Sequence, residues 1–222
     1  MNNFNSKEQH EIEIRTPKQE EMEDVWEAEW GAWSILAPVP GQKEALFSDY
    51  AIFPDGFLTA FVDGKAAGNC YTSRLNYDLD NPIRTWEEVA DNGRGTNHTP
   101  DGETLYVLAL GVSSKYQGMK LGQQLIAAQQ EQCRKFNCKR LVLGCRVPDY
   151  HKHSQMSIDE YILLKDENGR YIDRELRFYS RCGLKFLKPL PEYMSGDNAD
   201  PDSLNYGVLS VWENPDYVAV EK

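Results

Sequence analysis

The chain has 222 residues, 41% of them hydrophobic and 27% charged, and a formal net charge of -11 from 24 basic and 35 acidic side chains. That is a globular composition, long enough to bury a core of one domain. Its negative sign disfavours nucleic acid and anionic membranes as partners, and it either attracts a cationic substrate or is simply a solvated acidic surface.

Residues 1–10 read as a polar tail without the apolar stretch of a signal peptide, and no run approaches the ~20 apolar residues of a membrane span. The alternation of Glu11, Ile12, Glu13, Ile14 and Arg15 predicts a half-buried strand over 11–16. Pro17 ends it and suits the first turn of a helix reaching Trp33, after which Pro38, Pro40 and Gly41 break the chain. A short helix is expected over 43–50. Strands are expected over 56–62 and 66–75, joined at Asp63-Gly64, a strong tight-hairpin signal. A long loop over 76–103, with a short helix near 86–90, leads to the apolar run Thr104–Val112, read as a central strand covered on both faces. A helix over 120–136 and a buried strand over 139–147 complete a βαβ unit, which implies parallel pairing. A short helix over 157–164, a helix over 173–181 stopped by Gly183, and strands over 184–190 and 206–212 finish the chain. The five cysteines form no CxxC pair, so buried thiols in a reducing, cytoplasmic setting are expected rather than disulfides or zinc. His151 and His153 lack an evident third ligand, and no metal is expected.

The stretch LALGVSSKYQGMKLGQQLI, residues 108–126, carries the most chemistry. A buried strand ends at Val112, and a short loop with Gln117, Gly118 and Gly122 opens a helix. Small residues let backbone approach a ligand, and the free N–H groups at a helix start favour a pyrophosphate. Lys120 can add charge. Taken alone this is a weak phosphate-loop signal, matching neither the Walker nor the dinucleotide fingerprint. A second stretch, LRFYSRCGL over 176–184, reads by itself as an amphipathic helix with Phe178 and Tyr179 in the core.

Together the two stretches resemble the GNAT acetyltransferases. The acetyl-CoA motif of that family, Gln/Arg-x-x-Gly-x-Gly/Ala after a Leu-x-Val strand end, corresponds to Leu110, Gly111 and Val112 followed by Gln117, Gly118, Met119, Lys120, Leu121 and Gly122. Its later Phe-Tyr-x-x-x-Gly-Phe signature corresponds to Phe178 through Leu184. Lys120 replaces the first motif glycine, and Tyr106 occupies the place where many members carry a glutamate base. An insertion over about 148–170 and the ending of the chain look similar to GNAT domains fused to carbon-nitrogen hydrolases.

The resemblance implies an α/β fold: a mixed, mostly antiparallel sheet with one splayed parallel strand pair and helices on both faces, as a single domain over 11–222. It implies acetyl-CoA as co-substrate and direct attack by a primary amine. The backbone N–H near Val112 would stabilise the oxyanion, Tyr179 would protonate the leaving thiolate, and Glu103 through water, Tyr106 or His151 would act as base. The acceptor is a small molecule or a peptide amine, and a homodimer is compatible with either. A non-catalytic acyl-CoA sensor is the rival reading, supported by the missing glutamate. The acceptor site is expected between the first helix, around Trp30 and Trp33, and the insertion from Asp149 to Tyr161, with Tyr150 and His151 on its wall. Glu27, Glu29, Asp149, Asp159 and Glu160 would supply counter-charge.

Overall fold

The computed structural model describes residues 10–33, 41–196 and 199–219; most of the expected tail, and Pro38 and Pro40, lie outside them. Strand β1 (Ile12–Arg15) leads through a 3-10 turn into α1 (Met22–Trp33), and α2 (Gln42–Ile52) follows. Strands β2 (Phe57–Val62) and β3 (Lys65–Leu75) form the expected hairpin. Both of its turn residues are left-handed, Asp63 at φ 50° and Gly64 at φ 76°, the conformation a two-residue turn needs to match strand twist. Helix α3 (Trp86–Ala90) interrupts the long loop, and the βαβ unit is β4 (Thr104–Val112), α4 (Leu121–Lys135) and β5 (Arg140–Arg146). Two short helices, α5 (Ile158–Tyr161) and α6 (Arg174–Arg181), precede β6 (Lys185–Leu190) and β7 (Gly207–Glu213).

All seven strands join one sheet in the order β1-β2-β3-β4-β5-β7-β6. Every pairing is antiparallel except β4 with β5. Helices α4, α5 and α6 cover one face, where Leu125, Leu141, Tyr161 and Leu176 are buried together. Helices α1, α2 and α3 cover the other, around Met22, Phe57, Tyr106 and Leu209. The expected fold class is therefore the observed one.

The parallel pair is incomplete, and the gap makes the site. β4 meets β5 only where Thr104, Leu105 and Tyr106 stand opposite Arg140, Leu141 and Val142. Beyond that the two strands run on to Val112 and Arg146 without pairing. A bulge marks the point of departure: Thr72 faces Val107 while Tyr71 faces Ala109, leaving Leu108 unopposed on β3. An extra residue bends a strand and increases its twist, which carries the far half of β4 away from β5. On the β5 side, the ring of Tyr193 lies across Gly144 and Gly207, where an added Cβ would come within 2.1 Å and 2.6 Å of it. The indole Nε1 of Trp86 donates to the Leu108 carbonyl at 2.8 Å, satisfying the bulged residue from the α3 side.

Candidate active site

A cavity of about 710 Å³ occupies this gap. Val107, Leu108, Ala109 and Leu110 of β4 line it opposite Leu143, Gly144 and Arg146 of β5. It reaches Tyr179 and Glu175 of α6 on one side of the sheet and the tryptophans of α1 on the other.

The loop after β4 leaves backbone donors without a side-chain cap. Three of the helices are capped by their own side chains: Thr85 caps α3, Ser157 caps α5 and Asp173 caps α6. Helix α4 has no side-chain cap. Its first-turn N–H groups and the positive end of its dipole are therefore left for a ligand. Gly118 has φ 89° with open space on its Cβ side. Gly122 lies against the Phe178 ring, which an added Cβ would meet at 3.2 Å, so the two sequence stretches touch in space. Lys120, the motif departure, is the residue preceding α4 and sits in the left-handed region at φ 60°, exposed to solvent. A glycine takes that conformation without strain and lysine does not. These features fit the pyrophosphate and pantetheine of an acyl-CoA.

Tyr179 is 7% exposed and lines the cavity. Its ring meets Phe178 edge to face at 4.8 Å. Burial, with the nearby Glu175 carboxylate adding, holds its hydroxyl well above the ordinary phenol value, so it is protonated at neutral pH. Glu175, one helical turn earlier, is partly buried, and burial raises its carboxyl in turn.

Trp30 and Trp33 line the cavity as expected. Trp26 stacks on Trp30 at 6.3 Å, and Trp86 and Tyr71 extend the aromatic wall. The end of α1 lies close over β4, since a Cβ on Gly111 would come within 2.9 Å of Ala32.

The other expected site residues are placed elsewhere. Tyr106 is fully buried, with its hydroxyl 2.8 Å from that of Tyr193, and burial keeps it far above its ordinary value. It faces the core rather than the cavity, so it does not reach an amine. Glu103 precedes β4 at the closed end of the parallel pair, where its carbonyl accepts the Lys139 N–H at 2.7 Å. At about 3.3 Å per residue, the strand end at Val112 is about 25–30 Å away, too far for one water to bridge.

The insertion does not wall the cavity either. Tyr150 is 6% exposed, packs on Tyr161 and Tyr206, and donates to the Met156 carbonyl at 3.0 Å. The His151 ring is held against the carbonyls of Pro148 and Asp202. Asp149 is paired with Lys152 and Arg174, and Glu160 completes the cap of α5. Asp173 caps α6 and accepts from the Tyr161 hydroxyl. The insertion thus anchors the start of α6, and through it Tyr179.

Among the polar residues of the cavity that sequence reasoning missed are Asp49, Arg146, Glu175 and Asp200. Arg146 and Asp200 form a two-point pair at 2.6 and 2.7 Å. Only Glu175 carried a signal, its spacing of four from Tyr179 on one helix. Among the described residues, no group of three or more His, Cys, Asp or Glu side chains could hold a metal, and no helix is long and apolar enough to cross a membrane.

Comparison with known proteins agrees with this geometry. A model described as the acetyltransferase (GNAT) family matches residues 22–154. The probable hydrolase YhcX of Bacillus subtilis (strain 168) is 33% identical over 180 residues, 81% of this chain and 34% of that protein. The uncharacterized N-acetyltransferase YkwB of the same strain is 34% identical over 187 residues, 81% of this chain and 80% of that protein. The chain therefore spans about a third of the first relative and about four-fifths of the second. Among solved structures, the loading GNATL domain of CurA from Lyngbya majuscula superposes with a TM-score of 0.78 at 25% identity, covering 92% of this chain and 98% of that one. The GphF GNAT-like decarboxylase in complex with isobutyryl-CoA gives 0.71 at 18% identity, covering 91% and 99%. The splayed β4–β5 pair, the uncapped start of α4 and these matches lead to one assignment: the chain belongs to the GNAT acetyltransferase family.

Proposed function

We propose that this protein transfers an acetyl group from acetyl-CoA to the primary amine of a small molecule, in the cytoplasm, by direct attack within a ternary complex. The observation that carries the reading is the cavity that passes through the strand gap, with Tyr179 on one wall and the α1 tryptophans on the other. The uncapped start of α4, from Gln117 to Gly122, takes the pyrophosphate. β4 from Leu110 to Val112 offers backbone to the pantetheine, and an N–H near Val112 faces the developing oxyanion. The neutral Tyr179 hydroxyl, which has no hydrogen bond to the described residues, gives its proton to the departing sulfur. A cavity of about 710 Å³ is of the size that takes a small acceptor.

Loss of carbon dioxide from an acyl-CoA, the activity named for the GphF neighbour, fits this cavity less well. Its two arginines, Arg94 and Arg146, are already paired with Asp91 and Asp200. A carboxylate on the acyl group would enter a wall that also carries Glu29, Asp49 and Glu175. The test is thiol release from acetyl-CoA against a panel of alkyl amines, polyamines, amino acids and peptides, with malonyl-CoA alone as a parallel arm. Release with an amine and formation of the N-acetyl product supports the proposal. Amine-independent turnover of malonyl-CoA, or binding of acetyl-CoA without any transfer, would replace it by the decarboxylase or sensor reading.

A further inference from the structure

At the α1/α2 end of the cavity, two acidic side chains line the wall with no cation paired to them among the described residues. Glu29 is 7% exposed and Asp49 8% exposed, and both line the cavity. Glu29 is held in place by the Trp33 indole N–H at 2.8 Å and the Asn69 amide at 3.0 Å, with the Tyr71 hydroxyl at 3.5 Å. Oδ1 of Asp49 has no hydrogen-bond partner among the described residues. Neither carboxyl forms an ion pair among the described residues, and the Glu29 charge acts on Asp49. The other titratable groups on this part of the wall are Glu44, Glu87, Tyr71 and Arg94, and the Arg94 guanidinium is directed to Asp91.

Burying two carboxyls together without a counter-ion is costly, and a cation entering the cavity relieves that cost. The stacked Trp26 and Trp30 beside them offer ring faces of the kind that hold an ammonium. The place is right for chemistry as well. Tyr71, whose hydroxyl approaches Glu29, is paired with Ala109, the residue after the bulge where the strand gap opens. We infer that Glu29 and Asp49 form the cation-binding and proton-accepting end of this site, and that the acceptor is a slender alkyl ammonium with no carboxylate beside its nitrogen. The chemistry rests on the acyl-transfer reading; the cation site does not.

The step balances as follows. The bound ammonium gives one proton to the carboxyl pair. The free amine forms the N–C bond at the thioester carbonyl, the C–S bond breaks, and the sulfur takes the Tyr179 proton. The second proton on nitrogen returns to the Tyr179 oxygen, and the carboxyl pair releases its proton to solvent. Burial, with the Glu29 charge adding, pushes Asp49 up to about 8, which makes its carboxylate a stronger proton acceptor than an exposed one. An amine bearing an α-carboxylate would bring a third negative charge to the pair.

The test compares n-butylamine with norvaline, the same chain bearing an α-carboxylate, in wild type, Glu29→Gln and Asp49→Asn. In wild type, kcat/KM for butylamine should rise with pH through a limb near 8 and fall above about 10, as the ammonium is lost. Norvaline should be at least ten times poorer. Each variant should lose about 10²–10⁴-fold at pH 7 and keep the acetyl-CoA thermal shift. Its activity should then climb steadily to about pH 10, because only free amine reacts. Wild-type kcat/KM and an unmoved pH profile in both variants, or norvaline matching butylamine, overturns the inference. If no amine is acetylated, the acyl-transfer reading fails separately, and the cation site is judged on binding. Butylammonium chloride raising the wild-type Tm above equal sodium chloride, and not that of Asp49→Asn, supports it; equal behaviour overturns it.

Discussion

Replacing Lys120 by glycine should make the protein more stable and acetyl-CoA binding weaker. The lysine holds φ 60° and ψ 23° directly before α4. A side-chain-bearing residue in that region costs about 1–2 kcal/mol, and glycine's extra freedom in the unfolded chain returns about 0.5–1 kcal/mol of the gain. The net expectation is about 0.5–1 kcal/mol, which for a domain of this size is about 1–4 °C in Tm. The side chain is exposed, so an ion pair with a bound phosphate is worth about 0.2–1 kcal/mol, up to about fivefold in Kd. Lys120→Ala separates the effects, since it loses the charge and keeps the strain. Differential scanning calorimetry without ligand, and titration with acetyl-CoA at about 0.05 and 0.5 M salt, provide the readouts. Lys120→Gly should melt higher than both wild type and Lys120→Ala. The two variants should weaken binding alike, with the difference from wild type shrinking at high salt. If Lys120→Gly melts at or below wild type, the strain argument is wrong. If Lys120→Ala binds as tightly as wild type, the side chain does not reach phosphate.

Tyr179→Phe should lower kcat by about 10²–10⁴-fold while the acetyl-CoA Kd stays within about twofold; a wild-type kcat with chemistry rate-limiting would move the proton source elsewhere. Gly144→Ala should cost about 1–3 kcal/mol in denaturant unfolding, because its Cβ would fall 2.1 Å from the Tyr193 ring that packs there; an unchanged midpoint would show that the ring can retreat. Asp49 has a folded pKa raised to about 8 from 3.8. Between those values the folded state holds the extra proton, so stability should fall as pH rises from about 4 through 8. Asp49→Asn should flatten that part of the Tm-against-pH curve, and an unchanged slope would show that Asp49 titrates normally.

Local chemistry made most of the elements legible. Asp63-Gly64 specified its hairpin because few residue pairs adopt two consecutive left-handed conformations. The continuous apolar run of β4 followed by an amphipathic α4 specified a parallel unit, because a strand covered on both faces and a crossover helix leave few alternatives. The strand, turn with small residues and helix start over residues 108–126 were readable for the same reason, since they are contiguous in sequence. Trp30 and Trp33, expected beside the acceptor from their helix alone, line the cavity.

What the sequence did not determine depends on where elements meet. Nothing local says that β7 runs between β5 and β6, or that β4 leaves β5 after Tyr106. The bulge at Leu108 is set by registry with β3, a distant strand. Tyr106 was read as a possible base from its alignment position, and packing against Tyr77 and Tyr193 placed it in the core instead. The acidic and aromatic residues of the insertion gave no sign of which face they would cover; their bonds to Asp173 and Arg174 turned them toward α6. Asp49 lies on a helix with no motif, and its meaning comes only from Glu29 on another helix. A pair of buried carboxyls is a property of two packed surfaces, and only the tertiary structure brings those surfaces together.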